Sequence, residues 1–156
     1  MDINMMREAI REANVNSLNN YQDGGPFGAV IVRDGKIIAR EHNTVLLSKD
    51  STCHAEMNAI REACRVLGTN DLSGCSIYVN AEPCPMCLSA IIWSNIHDVY
   101  FANTRVQAGA IGFRDDMIYD FIRNGRDGVL NITRVYDSDA LKSFDDFASN
   151  DKKVIY

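Results

Sequence analysis

Two short segments hold the residue types that can do chemistry. Cys53-His54-Ala55-Glu56 is one, and Glu82-Pro83-Cys84-Pro85-Met86-Cys87 follows about thirty residues later. One imidazole and two thiolates make three good zinc ligands, and a catalytic zinc keeps its fourth position open for water. His42, His97 and Cys53 are spare donors, so counting alone leaves a closed, structural site open. Cys84 and Cys87 stand three apart, which places them on one face in the first turn of a helix. His54 and Glu56 stand two apart and would diverge in mid-helix. At an open N-terminus both can lean toward a point beyond the helix end. Two helix N-termini then converge on one metal, and their positive dipole ends favour thiolates and a metal-bound hydroxide.

Charge balance gives Glu56 its expected part. Zinc with two thiolates and a neutral imidazole is formally neutral. Its water is acidified less than at an all-histidine site, so a nearby base becomes useful. Glu56 fits as that base, taking a proton from the water and later giving it to a departing group.

These residues need a scaffold, and the pattern supplies one. Asp2 is placed to cap a first helix whose apolar face holds Met6, Ile10 and Ala13. Phe27 to Arg33 reads as a buried strand, and Lys36 to Arg40 as its return. Asp34-Gly35 between them signals a type I′ hairpin turn, which needs positive φ twice. Ala55, Ala59, Ile60, Ala63, Cys64 and Leu67 recur at helical spacing, and Gly68 ends that helix. Ser76 to Val79 reads as a strand, Met86 to about Ser94 as an apolar helix, and Val99 to Ala102 as a strand. Asp115 to Arg123 reads as a helix and Ile132 to Tyr136 as a fifth strand, while Leu141, Phe144 and Phe147 suggest a final helix. Strands alternating with helices after one hairpin predict an α/β fold: three α/β/α layers around a central mixed five-stranded sheet.

Length and composition agree with that scaffold. The chain has 156 residues, suited to a single domain over 1–156, and its 46% hydrophobic content is too high for a disordered chain. A core of this size needs no disulfide staples. The formal charge is −5, which speaks against a protein held mainly by phosphate backbones. Met1 to Asn20 lacks the apolar core of a signal peptide, and no run reaches the length of a membrane span. With an odd count of five cysteines, this predicts a cytoplasmic protein without a disulfide framework or membrane partner. Cys53, Cys64 and Cys75 read as small buried hydrophobes, and His42 and His97 as turn or surface residues.

The H-x-E and P-C-x-x-C combination is the signature of zinc nucleobase deaminases. Gly24-Gly-Pro-Phe-Gly-Ala-Val-Ile-Val32, Cys53-His-Ala-Glu56 and Glu82-Pro-Cys-Pro-Met-Cys87 resemble the cytidine deaminase-like superfamily. Within it the chain resembles the bacterial guanine deaminases, through the Gly-Gly-Pro-Phe-Gly start, Gly112-Phe113, Asp115, Ile118-Tyr119 and the tyrosine at 156. The likeness is good from about Tyr21 to Tyr119 and looser beyond. It implies one Zn²⁺ per subunit on His54, Cys84 and Cys87, and hydrolysis of guanine to xanthine and ammonia with attack at C2. It implies that Glu56 is the general base and that Asp115 moves a proton at the ring. Asn43 would hydrogen-bond the base edge, Phe27 and Trp93 would pack the planar base, and the Ala55 N–H would contact it.

The resemblance also implies a homodimer, with the segment from about 130 to 156 exchanged between subunits. Val154-Ile155-Tyr156 follows the polar stretch Asn150-Asp-Lys-Lys153, and an apolar end on a polar tether suggests docking. Tyr156 would then close an active site. The same zinc chemistry serves a tRNA adenosine deaminase, or a cytosine or nucleoside deaminase. An RNA enzyme would want a basic strip. Here Asp115, Asp116, Asp120, Asp127, Asp137, Asp139, Asp145, Asp146 and Asp151 make the C-terminal third acidic, so no nucleic-acid partner is expected. A non-catalytic zinc module would have no need of Glu56.

Overall fold

Asp2 starts the first helix, α1 (Ile3–Asn14). Its carboxylate accepts from the Asn4 N–H at 2.8 Å, pairing a donor that a helix start otherwise leaves open. The computed structural model describes residues 1–113, 115–125 and 128–155, apart from the side chain of residue 138. α1 buries Met6, Ala9 and Ala13, while Ile10 turns outward. The helix then widens into a π turn over Val15–Asn19.

β1 (Gly28–Arg33) and β2 (Lys36–His42) form the expected hairpin, with Asp34 and Gly35 both at positive φ. A single-turn helix, α2 (Val45–Ser48), precedes α3 (Ala55–Leu67), which ends at Gly68 in the left-handed conformation. β3 (Cys75–Ala81) leads into α4 (Pro85–Trp93) and then β4 (Asp98–Asn103). Three further helices follow: α5 (Arg105–Ala110), α6 (Asp116–Asn124) and α7 (Lys142–Ala148). The Thr104 hydroxyl and the Gln107 amide form a capping box at the start of α5.

The sheet order is β2-β1-β3-β4. β1 runs antiparallel to both neighbours, β3 and β4 run parallel, and α4 makes the crossover that a parallel pair requires. Alternation along the strands builds two cores. Ala29, Ile31, Ile77 and Val79 face α3 and α4, while Val30, Val32 and Tyr78 face α1. The three α/β/α layers are therefore present. Ile31, Leu72, Ile77 and Ile91 are fully buried, each contributing roughly 1.5–3 kcal/mol of apolar burial.

One expectation fails. Among the described residues the mixed sheet has four strands, not five. Ile132 to Tyr136 forms no strand and pairs with no neighbouring strand, and Ile132, Val135 and Tyr136 are 78%, 84% and 83% exposed. Alternating apolar residues make a strand only where a sheet edge receives them. Among the described residues none does.

Candidate active site

Each half of the site starts at a helix N-terminus. His54 is the N-cap residue of α3 and Cys84 that of α4, and neither uses its side chain to cap its own helix. Pro85 occupies the first turn of α4, where a missing N–H costs nothing. Cys87, three residues after Cys84, is fully buried. His54 Nδ1 lies 3.6 Å from the Sγ atoms of both Cys84 and Cys87. Zinc at ~2.3 Å from sulfur and ~2.05 Å from nitrogen sets a tetrahedral N···S edge of about 3.6 Å. The donor set and its spacing therefore fit zinc. No fourth histidine, cysteine or carboxylate joins these three among the described residues, which favours an open site over a closed one. His42 lies beside Glu12 at 3.5 Å instead, and His97 is exposed.

The electrostatics suit a cation. The hydrogen bond from Cys87 pulls the Cys84 thiol down to about 4, with the His54 bond adding to it against desolvation. Cys87, as donor in that pair and buried, holds its proton well above the usual thiol range. The bond to Cys84 raises His54. A metal among these atoms displaces the shared protons. Glu56 is buried on the first turn of α3, and desolvation raises its carboxyl above the ordinary range. A carboxylate tuned upward is what general-base work near neutral pH requires.

A cavity of about 180 Å³ opens in front of these residues. His54, Glu56, Cys84, Phe27, Phe113 and Asp115 all line it. The Phe27 and Phe113 rings meet edge to face at 4.7 Å. Asp115 stands at the N-cap position of α6, yet its side chain caps no N–H there. It faces the cavity instead, and its carboxyl is raised by desolvation, then by the nearby Cys84 and Asp116 charges.

Asn43 lines an adjoining recess together with Phe27, His54 and Phe113. Its Oδ1 accepts from the Val45 N–H at 3.1 Å and the Gly25 N–H at 3.3 Å. Its Nδ2 has no acceptor among the described residues. Ala55, fully buried, follows His54 as the first residue of α3, where N–H groups lack intrahelical partners.

Trp93 is not brought to the site. It is 70% exposed and forms no part of the cavity wall. Nine residues beyond Cys84 is two and a half helical turns, which carries it ~13 Å along the axis and to the opposite face. Tyr156 lies outside the described residues. Of the wall residues that the sequence reading did not place at the site, three carry polar or aromatic side chains. Phe113 follows Gly112 in a stretch read only as a family likeness, and Asn80 and Glu82 sit where β3 ends. Glu82 Oε2 accepts from the Arg105 N–H at 3.0 Å, and Asn80 ties β3 to the Pro26–Gly28 stretch. Their place beside Cys84 was the available signal.

Residues 1–103 match the cytidine and deoxycytidylate deaminase zinc-binding region. The chain belongs to this family. His54, Cys84 and Cys87 are the residues in this zinc-binding region that could hold the ion. It is 53% identical to guanine deaminase of Bacillus subtilis over 96 residues, 62% of either chain, so the match spans just under two thirds of that relative. The crystal structure of guanine deaminase from Bacillus subtilis superposes with a TM-score of 0.93 at 39% identity, covering 100% of this chain and 99% of that one. A solved tRNA:A34 deaminase reaches a TM-score of 0.64 at 34% identity, over 86% of this chain and 96% of the other.

Proposed function

We propose that this chain is a single-domain cytoplasmic guanine aminohydrolase, converting guanine and water to xanthine and ammonia. The carrying observation is the likeness to a guanine deaminase along the full length, including the region after residue 103. The tRNA deaminase matches less closely, and a net charge of −5 is poorly suited to RNA.

The planar base fits against the Phe27 and Phe113 rings. Asn43 Nδ2 is left to donate to an acceptor on its edge. Zinc, when bound, supplies a Lewis acid that makes a water nucleophilic at neutral pH. Glu56 removes a proton from the water attacking C2 and delivers it to the departing amine, which leaves as ammonia. Asp115, uncommitted to capping, gives a proton to a ring nitrogen as C2 is attacked and takes the second water proton back as the C2 carbonyl forms and the amine leaves.

The C-terminal segment supports a homodimer. Residues 128–155 are exposed almost throughout, Phe144 is 72% exposed, and α7 packs chiefly on the 3₁₀ turn before it, Ser138–Leu141. Such a run of apolar side chains calls for a cover. A second copy provides it by exchange, and supplies the edge that Ile132 to Tyr136 lacks.

The substitution Glu56→Gln tests the site assignment. It retains one zinc per chain and still binds guanine, while turnover falls by about 10²–10⁴. Full turnover by E56Q contradicts the assignment.

A further inference from the structure

Asn43 is held in an unusual way. Its N–H donates to the Phe27 carbonyl at 3.0 Å, and its own carbonyl accepts from Asn16 Nδ2 at 2.6 Å. The same Asn16 nitrogen donates to the Gly25 carbonyl at 2.8 Å. Gly25 in turn donates its N–H to Asn43 Oδ1. One buried amide thus closes a loop of bonds around the two segments that flank the recess. Asn16 is 1% exposed, and its Oδ1 has no partner among the described residues. Two carbonyls facing Nδ2 fix the amide orientation, because the flipped form would set oxygen against oxygen. An unsatisfied buried acceptor is costly, so the arrangement is not a stability optimum.

The backbone shows how Asn16 reaches inward. It lies in the π turn that follows α1, and π turns are rare and concentrate at functional sites. Met6, Ala9, Ala13 and Asn16 continue one buried stripe, but the last position holds a polar side chain aimed at Asn43 rather than an apolar one aimed at the sheet. Gly24 and Gly25 leave no room for slack. A Cβ on Gly24 would lie 2.1 Å from Asn43 Oδ1, and one on Gly25 would lie 2.7 Å from the Phe113 ring.

We infer that Asn16 is a positioning residue for the deamination: through Asn43 and Gly25 it fixes the amide that faces the substrate edge. Asn16 touches no zinc ligand and does not line the cavity. Its influence passes through Asn43, so the inference rests on Asn43 contacting the base.

A double-mutant cycle on the zinc-loaded enzyme decides it, with kinetics taken well below each variant's Tm. Asn16→Ala is expected to lower kcat/KM for guanine about tenfold, mainly through KM, with zinc content unchanged. Asn16→Asp, which keeps the volume but offers at most one donor, is expected to show the same KM effect. The double variant N16A/N43A should then lie within about twofold of N43A alone, since both act at one contact. Wild-type kcat/KM in both Asn16 variants overturns the inference. So does a full loss on top of N43A, or a loss that tracks missing zinc. An N43A variant with wild-type kinetics removes the Asn43 contact itself, which is a separate failure and takes the inference with it.

Discussion

Gly24→Ala is a one-methyl test of how the recess is built. Gly24 has no positive φ, so its own backbone conformation suits alanine. The obstacle is Asn43: the new Cβ falls 2.1 Å from Oδ1, 2.7 Å from the carbonyl oxygen and 3.0 Å from Cγ. Ordinary contact begins near 3.4 Å, so the Asn43 amide must give way by about 1.3 Å and its backbone carbonyl by about 0.7 Å. That movement breaks its bonds from the Gly25 and Val45 N–H groups, roughly 1 kcal/mol each. A total near 2 kcal/mol lowers Tm by about 4–8 °C in a chain of this size. A displacement of about 1 Å at a substrate-orienting group costs about 10²-fold in rate, or ~2.7 kcal/mol of barrier. The three atoms nearest the new Cβ all belong to Asn43 and none to a zinc ligand, so zinc content should not change. The assay is ammonia release with guanine, alongside metal analysis and thermal melting. Gly109→Ala is the control. It lies in α5 with nothing within 4 Å of its Cβ, and should leave kinetics alone while stabilising by up to about 1 kcal/mol. A G24A enzyme with wild-type kcat/KM and intact zinc would refute the claim that Asn43 orients the substrate.

Three further outcomes are expected. Asp115→Asn should lose about 10²-fold or more in turnover with little change in Tm, because the carboxylate caps nothing; matched activity with a lower melting point makes it a structural residue. Glu41 on β2 is raised first by burial, and Glu62 and Glu12 push the same way against His42. Its carboxyl therefore holds a proton to higher pH in the folded chain than in the unfolded one, and its ionisation opposes folding as pH rises through the raised value. Glu41→Gln should lift Tm slightly at pH 7, by about 1–2 °C after allowing for solvent screening, and not at pH 4; an equal gain at both pH values points to a cause other than charge. Removing residues 154–156 should weaken the proposed dimer in sedimentation and lower kcat/KM, whereas unchanged assembly and kinetics speak against an exchanged tail.

Much of the site was legible because its chemistry is local. His54, Glu56, Cys84 and Cys87 declare themselves by spacing, and the two helix starts that carry them follow from capping rules. The sheet was legible where alternation met a partner within the chain, as in β1 between β2 and β3. Ile132 to Tyr136 has the same alternation but meets no partner strand among the described residues, and pattern alone does not reveal that. Trp93 illustrates another limit. An aromatic near a site in sequence is expected there, but helical geometry turned it to the far face. Asn43 was legible only as a family likeness. What holds it, the buried Asn16 on a π turn, has no periodic signature, since a π turn shifts register by one residue and looks like ordinary helix.

The most direct test measures ammonia release by the zinc-loaded protein. It compares guanine with guanosine, adenine, cytosine, cytidine and a tRNA anticodon stem-loop. The account predicts turnover of guanine far above all the others, with xanthine as the product. Silence on guanine with turnover of the stem-loop or of cytosine would leave the zinc site standing and contradict the substrate.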